Sequence, residues 1–152
     1  MMKKQGMFVT SNQQPEHIFN SITLSLGDEL TWRWEEKMSA LLSEFSWEKK
    51  ERILAILREL FSDEWNRKNI KKAPKTLRTE LGELANLNKE QLVFTRPASD
   101  KTPALAVIWW PWGHGATYSM RLKVLNITYS EAELQQAQQS FFSKIVSYLK
   151  AS

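Results

Sequence analysis

The stretch from Ala104 to Val124 constrains this chain more than any other. Ala104-Leu105-Ala106-Val107-Ile108-Trp109-Trp110 is an unbroken apolar run. A run that is apolar on both faces predicts a central strand covered from both sides. Pro111 ends the run, and Trp112, Gly113, His114 and Gly115 follow. Glycines at 113 and 115 supply the backbone freedom that a tight reversal needs. Beyond the reversal, Tyr118, Met120, Leu122 and Val124 alternate with Thr117, Ser119, Arg121 and Lys123. That period of two predicts a strand with one apolar and one polar side. Upstream, Gln91-Leu92-Val93-Phe94-Thr95-Arg96 is rich in strand formers and stops at Pro97. These three segments together predict an antiparallel meander.

Before residue 88 the apolar period is helical. Residues 1–14 are polar and aperiodic, and predict a flexible N-terminal arm ahead of one globular domain over 15–152. Pro15 suits the first turn of a helix carrying Ile18, Phe19, Ile22 and Leu26, with Gly27 as its stop. Leu30, Trp34, Met38, Leu41, Leu42 and Phe45 fit a second helical stripe. Ser46 reads as the N-cap of a third helix, with Ile53, Leu54, Leu57, Leu60, Phe61 and Trp65 on one face. A fourth helix is expected through Leu77, Leu81, Leu84 and Leu87, weakened at Gly82. Ser130 and Glu133 form a capping box that opens a terminal helix. Its expected face is Leu134, Ala137, Phe141, Ile145, Tyr148 and Leu149. Helices segregated from strands predict an α+β fold: about four N-terminal helices, a three-stranded antiparallel meander, and a C-terminal helix packed on the sheet.

The chain has no cysteine, which excludes disulfides, thiolate metal centres and cysteine nucleophiles. No signal-like or membrane-spanning apolar run is visible, so cytoplasmic residence is the expectation. No cofactor or metal motif is recognisable. The formal charge of +4 is uneven. Arg67, Lys68, Lys71, Lys72, Lys75 and Arg78 lie between Trp65 and Thr79 without an acid, so the rest of the chain is slightly acidic.

Two constellations are candidates for function. In the first, Trp109, Trp110, Trp112 and His114 mark an aromatic turn that either caps the sheet by packing or presents a contact surface to a partner. Adjacent tryptophans on a strand point to opposite faces, so one of Trp109 and Trp110 is expected in the core. His114, between two glycines, is a weak candidate for a general base or ligand. In the second, the basic segment 67–78 either neutralises phosphates or sits as a solvated helix end complementing the macrodipole. Arg96 and Asp100 could pair, or hold an anion. The leading expectation is a non-enzymatic domain that binds an unknown protein partner through the aromatic turn. The alternative is nucleic-acid binding by segment 67–78, with Trp112 as a stacking ring. A second alternative is an enzyme or small-ligand binder centred on His114. Self-association as a homodimer through the aromatic turn is a further option.

Overall fold

The computed structural model describes residues 18–100, 102–127 and 131–151. The expected arm, Pro15, His17 and the Ser130 end of the capping box lie outside the described residues. Among the described residues the architecture is α+β: four α-helices accompany a six-stranded antiparallel sheet. In chain order these are α1 (Asn20–Leu26), β1 (Arg33–Glu35), β2 (Ala40–Ser46), α2 (Lys50–Leu60), β3 (Asp63–Trp65), α3 (Lys75–Leu81), β4 (Leu92–Arg96), β5 (Leu105–Pro111), β6 (Thr117–Val124) and α4 (Glu131–Ala151). The strand order is β1-β2-β6-β5-β4-β3. The predicted meander is therefore present as β4-β5-β6, but it forms only the middle of a wider sheet.

The extra strands correct the expectation of a helix through Leu30 to Phe45. That segment is the hairpin β1-β2, with Trp34 opposite Leu41 and Glu35 opposite Ala40. Its reversal carries neither glycine nor proline; Ser39 takes the left-handed backbone instead, at φ 49°. The first half of β2, residues 40–43, is buried on both faces, so Leu41, Leu42 and Phe45 recur at spacings that also fit a helix. The third helix is likewise shorter than its stripe. α2 ends at Leu60, Phe61 is extended, and Trp65 belongs to β3. The fourth helix stops where Gly82 adopts φ 57°, and a 3-10 turn over Gly82–Ala85 continues the path.

Helices lie on both faces of the sheet. On the first face, α1 and α2 cover Leu41, Phe45, Phe94, Leu105, Val107, Trp109, Tyr118, Met120 and Leu122 with Phe19, Ile22, Leu26, Ile53, Leu54 and Leu57. The strand residues come from β2, β4, β5 and β6, so this core runs across most of the sheet. On the second face, Trp65, Val93, Ala106 and Ile108 pack beneath Ile70, Ala73, Leu77, Leu81, Leu87 and Leu134. None of these strand residues comes from β1, β2 or β6. The second layer therefore roofs half of the sheet and leaves the other half uncovered.

The uncovered half is polar. Strand alternation places Arg33, Glu35, Glu44, Ser46, Thr117, Ser119, Arg121 and Lys123 there. Arg121 grips Glu35 with two hydrogen bonds, at 2.7 and 3.2 Å. Those bonds hold the Glu35 carboxyl below the usual glutamate range, against the opposing effect of burial. Arg33 pairs with Glu44 at 3.3 Å, and Lys123 donates to the Met38 carbonyl at 2.7 Å. Leu42, in register with both Arg33 and Arg121, is buried between them. Charged side chains thus satisfy this face without a covering helix.

Of α4, only Leu134 joins the core, and Phe141 lies beneath the Lys72 ammonium at 5.9 Å. Phe142, Ile145, Tyr148 and Leu149 are exposed. The C-terminal helix is present, but its expected apolar face packs only over its first turns. No helix among the described residues is long and apolar enough to cross a membrane.

Candidate functional site

The aromatic turn closes the β5-β6 hairpin. The Trp112 N–H donates to the Thr117 carbonyl, and the Gly115 N–H donates to the Trp112 carbonyl, each at 2.9 Å. The chain leaves this turn through a left-handed backbone at Gly115, where φ is 78°. The Ala116 N–H donates to His114 Nδ1 at 3.0 Å. The Trp47 N–H then donates to the Ala116 carbonyl at 2.9 Å, tying the turn to the end of β2. Each of these bonds fixes backbone, so the site stands on a defined scaffold.

Alternation separates the tryptophans. Trp109 faces α1 and α2 and is only 2% exposed. Its ring centroid lies 5.5 Å from that of Phe45 and 5.3 Å from that of Tyr118. Trp109 is therefore a core residue, which removes it from the expected contact surface. Trp110 points to the other side and is 40% exposed. Trp112, two residues on, is 45% exposed. Trp47 is 55% exposed, and its backbone bond to Ala116 puts it at the same end of the sheet. The sequence reading missed Trp47 because β2 was expected to be helical, so nothing placed residue 47 beside the turn. Strand register with β6 is the signal that finds it.

Trp110 also forms one wall of a cleft of about 330 Å³. The other lining residues are Ile108 from β5, Gln91 just before β4, and Glu83, Leu84, Asn86 and Leu87 from the segment after α3. Gln91 is buried, and its Oε1 accepts the Asn88 N–H at 2.9 Å. That bond fixes the carbonyl end of the amide and leaves its NH₂ end for the cleft. Glu83 is exposed and forms no ion pair among the described residues.

His114 is exposed at the tip of the turn, and its Nδ1 is occupied by the backbone bond just described. Among the described residues no cluster of histidines and carboxylates could hold a metal ion. The geometry therefore gives His114 Nδ1 a turn-closing role.

The basic residues lie elsewhere. Arg67, Lys68, Lys71, Lys72, Lys75 and Arg78 are all exposed. Arg67, Lys68, Lys71 and Lys72 occupy a folded corner between β3 and α3, built by Asn66 Oδ1 accepting from the Lys68 and Asn69 amides at 2.8 and 2.9 Å, and Lys75 and Arg78 lie on α3. α2 ends at Leu60, so these cations do not complement its macrodipole as expected. Arg78 Nε donates to the Ala73 carbonyl at 3.0 Å. None of the described cation–ring contacts involves Trp112. Arg96 forms no ion pair with Asp100 among the described residues. Its guanidinium lies 5.5 Å from the Phe61 ring centroid and donates to the Leu60 carbonyl at 3.4 Å, and burial lowers its pKa.

Compared with known proteins, the chain matches no family model, no curated protein and no solved structure. Its function has to be argued from the site itself.

Proposed function

We propose that this chain is a non-enzymatic interaction domain whose contact surface is the aromatic end of the sheet. The observation that carries this reading is the exposure of Trp47, Trp110 and Trp112 together at one end of β2, β5 and β6. Large indole surfaces in water are unfavourable in isolation, and contact surfaces are enriched in tryptophan. The rings stand on strand ends and a hydrogen-bonded turn, so little ordering accompanies binding. A protein partner is the occupant this surface suits best, and a second copy of the chain is the self-associating version of the same contact.

The test compares surface variants as bait in cell extract. Trp112→Ala should lose the captured partner, while Leu24→Ser, at an exposed apolar residue on α1, should retain it. Both should keep a stability within about 0.5 kcal/mol of the parent, as exposed substitutions generally do. Capture that is indifferent to Trp112 and to Trp110 would end this reading.

The second reading, nucleic-acid binding, is favoured by the six exposed cations that segment 67–78 carries without an acid in its sequence. Duplex or single-stranded binding that falls steeply with salt would support it. Replacing Lys71 and Lys72 by glutamine should then lower the salt slope by about one unit for each lost phosphate contact. Salt-insensitive or absent binding would remove it.

A further inference from the structure

The contact surface has a built pocket at one side, and its chemistry selects an occupant. We infer that the cleft beside Trp110 receives a basic side chain, arginine or lysine, of a partner polypeptide. This inference rests on the interaction reading above and names what the surface holds.

The cleft is lined by Leu84, Leu87 and Ile108, with Trp110, Glu83, Asn86 and Gln91 as its aromatic and polar residues. At about 330 Å³ it suits a single side chain. The aliphatic stem of arginine or lysine matches the leucine and isoleucine walls. A cation at its end meets the two features of this cleft that favour positive charge. One is the face of an indole, which attracts a cation within about 6 Å of the ring centroid. The other is Glu83, the one ionised side chain among the described lining residues, which has no ion-pair partner among the described residues. The Gln91 NH₂ completes the set as a donor to a partner backbone carbonyl.

The neighbouring charges sharpen the choice. On the open sheet face, Arg121 is held by Glu35 and Arg33 by Glu44. Lys123 gives its ammonium to the Met38 carbonyl and stands four residues along β6 from Ser119, the neighbour of Trp110, so it is not placed to attract an acidic anchor into the cleft. An aliphatic anchor would fill the walls but leave the carboxylate and the amide without partners, which is unfavourable for groups drawn from water. An acidic anchor would meet Glu83 directly. The surface continues past the cleft to Trp112 and Trp47, so the ligand extends beyond one side chain. That extension favours a polypeptide over a small amine.

The experiment uses three acetylated and amidated pentapeptides, each with one central residue between pairs of glycines. The central residue is arginine, leucine or glutamate. Binding is followed on the ¹⁵N-labelled full chain through the indole N–H of Trp110 and the side-chain amide of Gln91. The arginine peptide should shift both signals, and the leucine and glutamate peptides should not. Glu83→Gln should weaken the arginine peptide by about five- to tenfold, the range expected for losing a charge-assisted contact beside a ring. Leu24→Ser should leave its affinity unchanged, because Leu24 is exposed on α1 and does not line the cleft. Absence of a shift with arginine, equal shifts with leucine or glutamate, or indifference to Glu83→Gln would overturn the inference. Should that happen while partner capture still depends on Trp112, the contact surface stands and only its basic anchor falls. If capture ignores both Trp110 and Trp112, the surface itself falls, whatever the peptides do.

Discussion

Trp109 and Trp110 are neighbours in sequence and opposites in environment. Trp109 faces two helices and packs its ring against Phe45 and Tyr118. Trp110 faces the other way, at the margin of a layer that covers only β3, β4 and β5. The same residue type does structural work on one side of a strand and is left available on the other. What decides between them is not the tryptophan but the reach of the covering helices. α1 and α2 extend across the sheet, whereas α3 and the first turn of α4 stop short of β6. The polar half-face next to Trp110 is the consequence, held by its own ion pairs.

Substitutions on the two sides of the sheet measure this contrast. The largest effect belongs to Trp109→Ala, which should cost about 3–5 kcal/mol in a chemical denaturation curve, as expected for emptying a large aromatic site. A loss under 1 kcal/mol would mean that the first face is not the tightly packed one. Next comes Trp65→Phe, on the roofed half of the second face. It removes the buried hydrogen bond from the Trp65 indole N–H to Thr95 Oγ1, 2.8 Å long. It should cost about 1–2 kcal/mol, because the hydroxyl is left in a buried site with reduced partners.

A smaller effect is expected on the open half. Glu35→Gln should destabilise the protein by about 1 kcal/mol near neutral pH, since the Arg121 pair is bidentate and mostly shielded. The pH dependence has a definite sign. The folded carboxyl titrates below its unfolded value, so its contribution is complete above the ordinary glutamate pKa of about 4.3 and is lost as pH falls through the folded value. Parent and Glu35→Gln stabilities should therefore converge on acidification. Divergence below pH 4 would contradict the pairing. The smallest effect is at Trp110→Ala, within about 0.5 kcal/mol of the parent. A loss as large as that at Trp109 would erase the contrast between the two rings.

The legible and illegible parts of the fold follow a physical rule. β4, β5, β6 and the reversal at Gly115 were readable because each combines alternation or an apolar run with proline or glycine at its ends. The β1-β2 hairpin was not. Trp34, Leu41, Leu42 and Phe45 satisfy a helical spacing, and its turn at Ser39 uses no glycine. Trp65 was placed on a helix because a stripe that continues past a helix end looks the same in sequence as one that does not. At the site, Trp110, Trp112 and His114 were visible as a cluster, and the division between Trp109 and Trp110 follows from alternation alone. Trp47 and the cleft partners Glu83 and Gln91 were not visible. They come from segments 19 to 63 residues away from Trp110 in the chain, and only the sheet order brings them together.

The contrast between the two rings depends on which indoles meet water. A soluble nitroxide added to the ¹⁵N-labelled protein broadens N–H signals in proportion to their accessibility. The indole signals of Trp47, Trp110 and Trp112 should be bleached at low nitroxide, while those of Trp65 and Trp109 persist. Protection of Trp110 and Trp112 to the level of Trp109 would contradict the account.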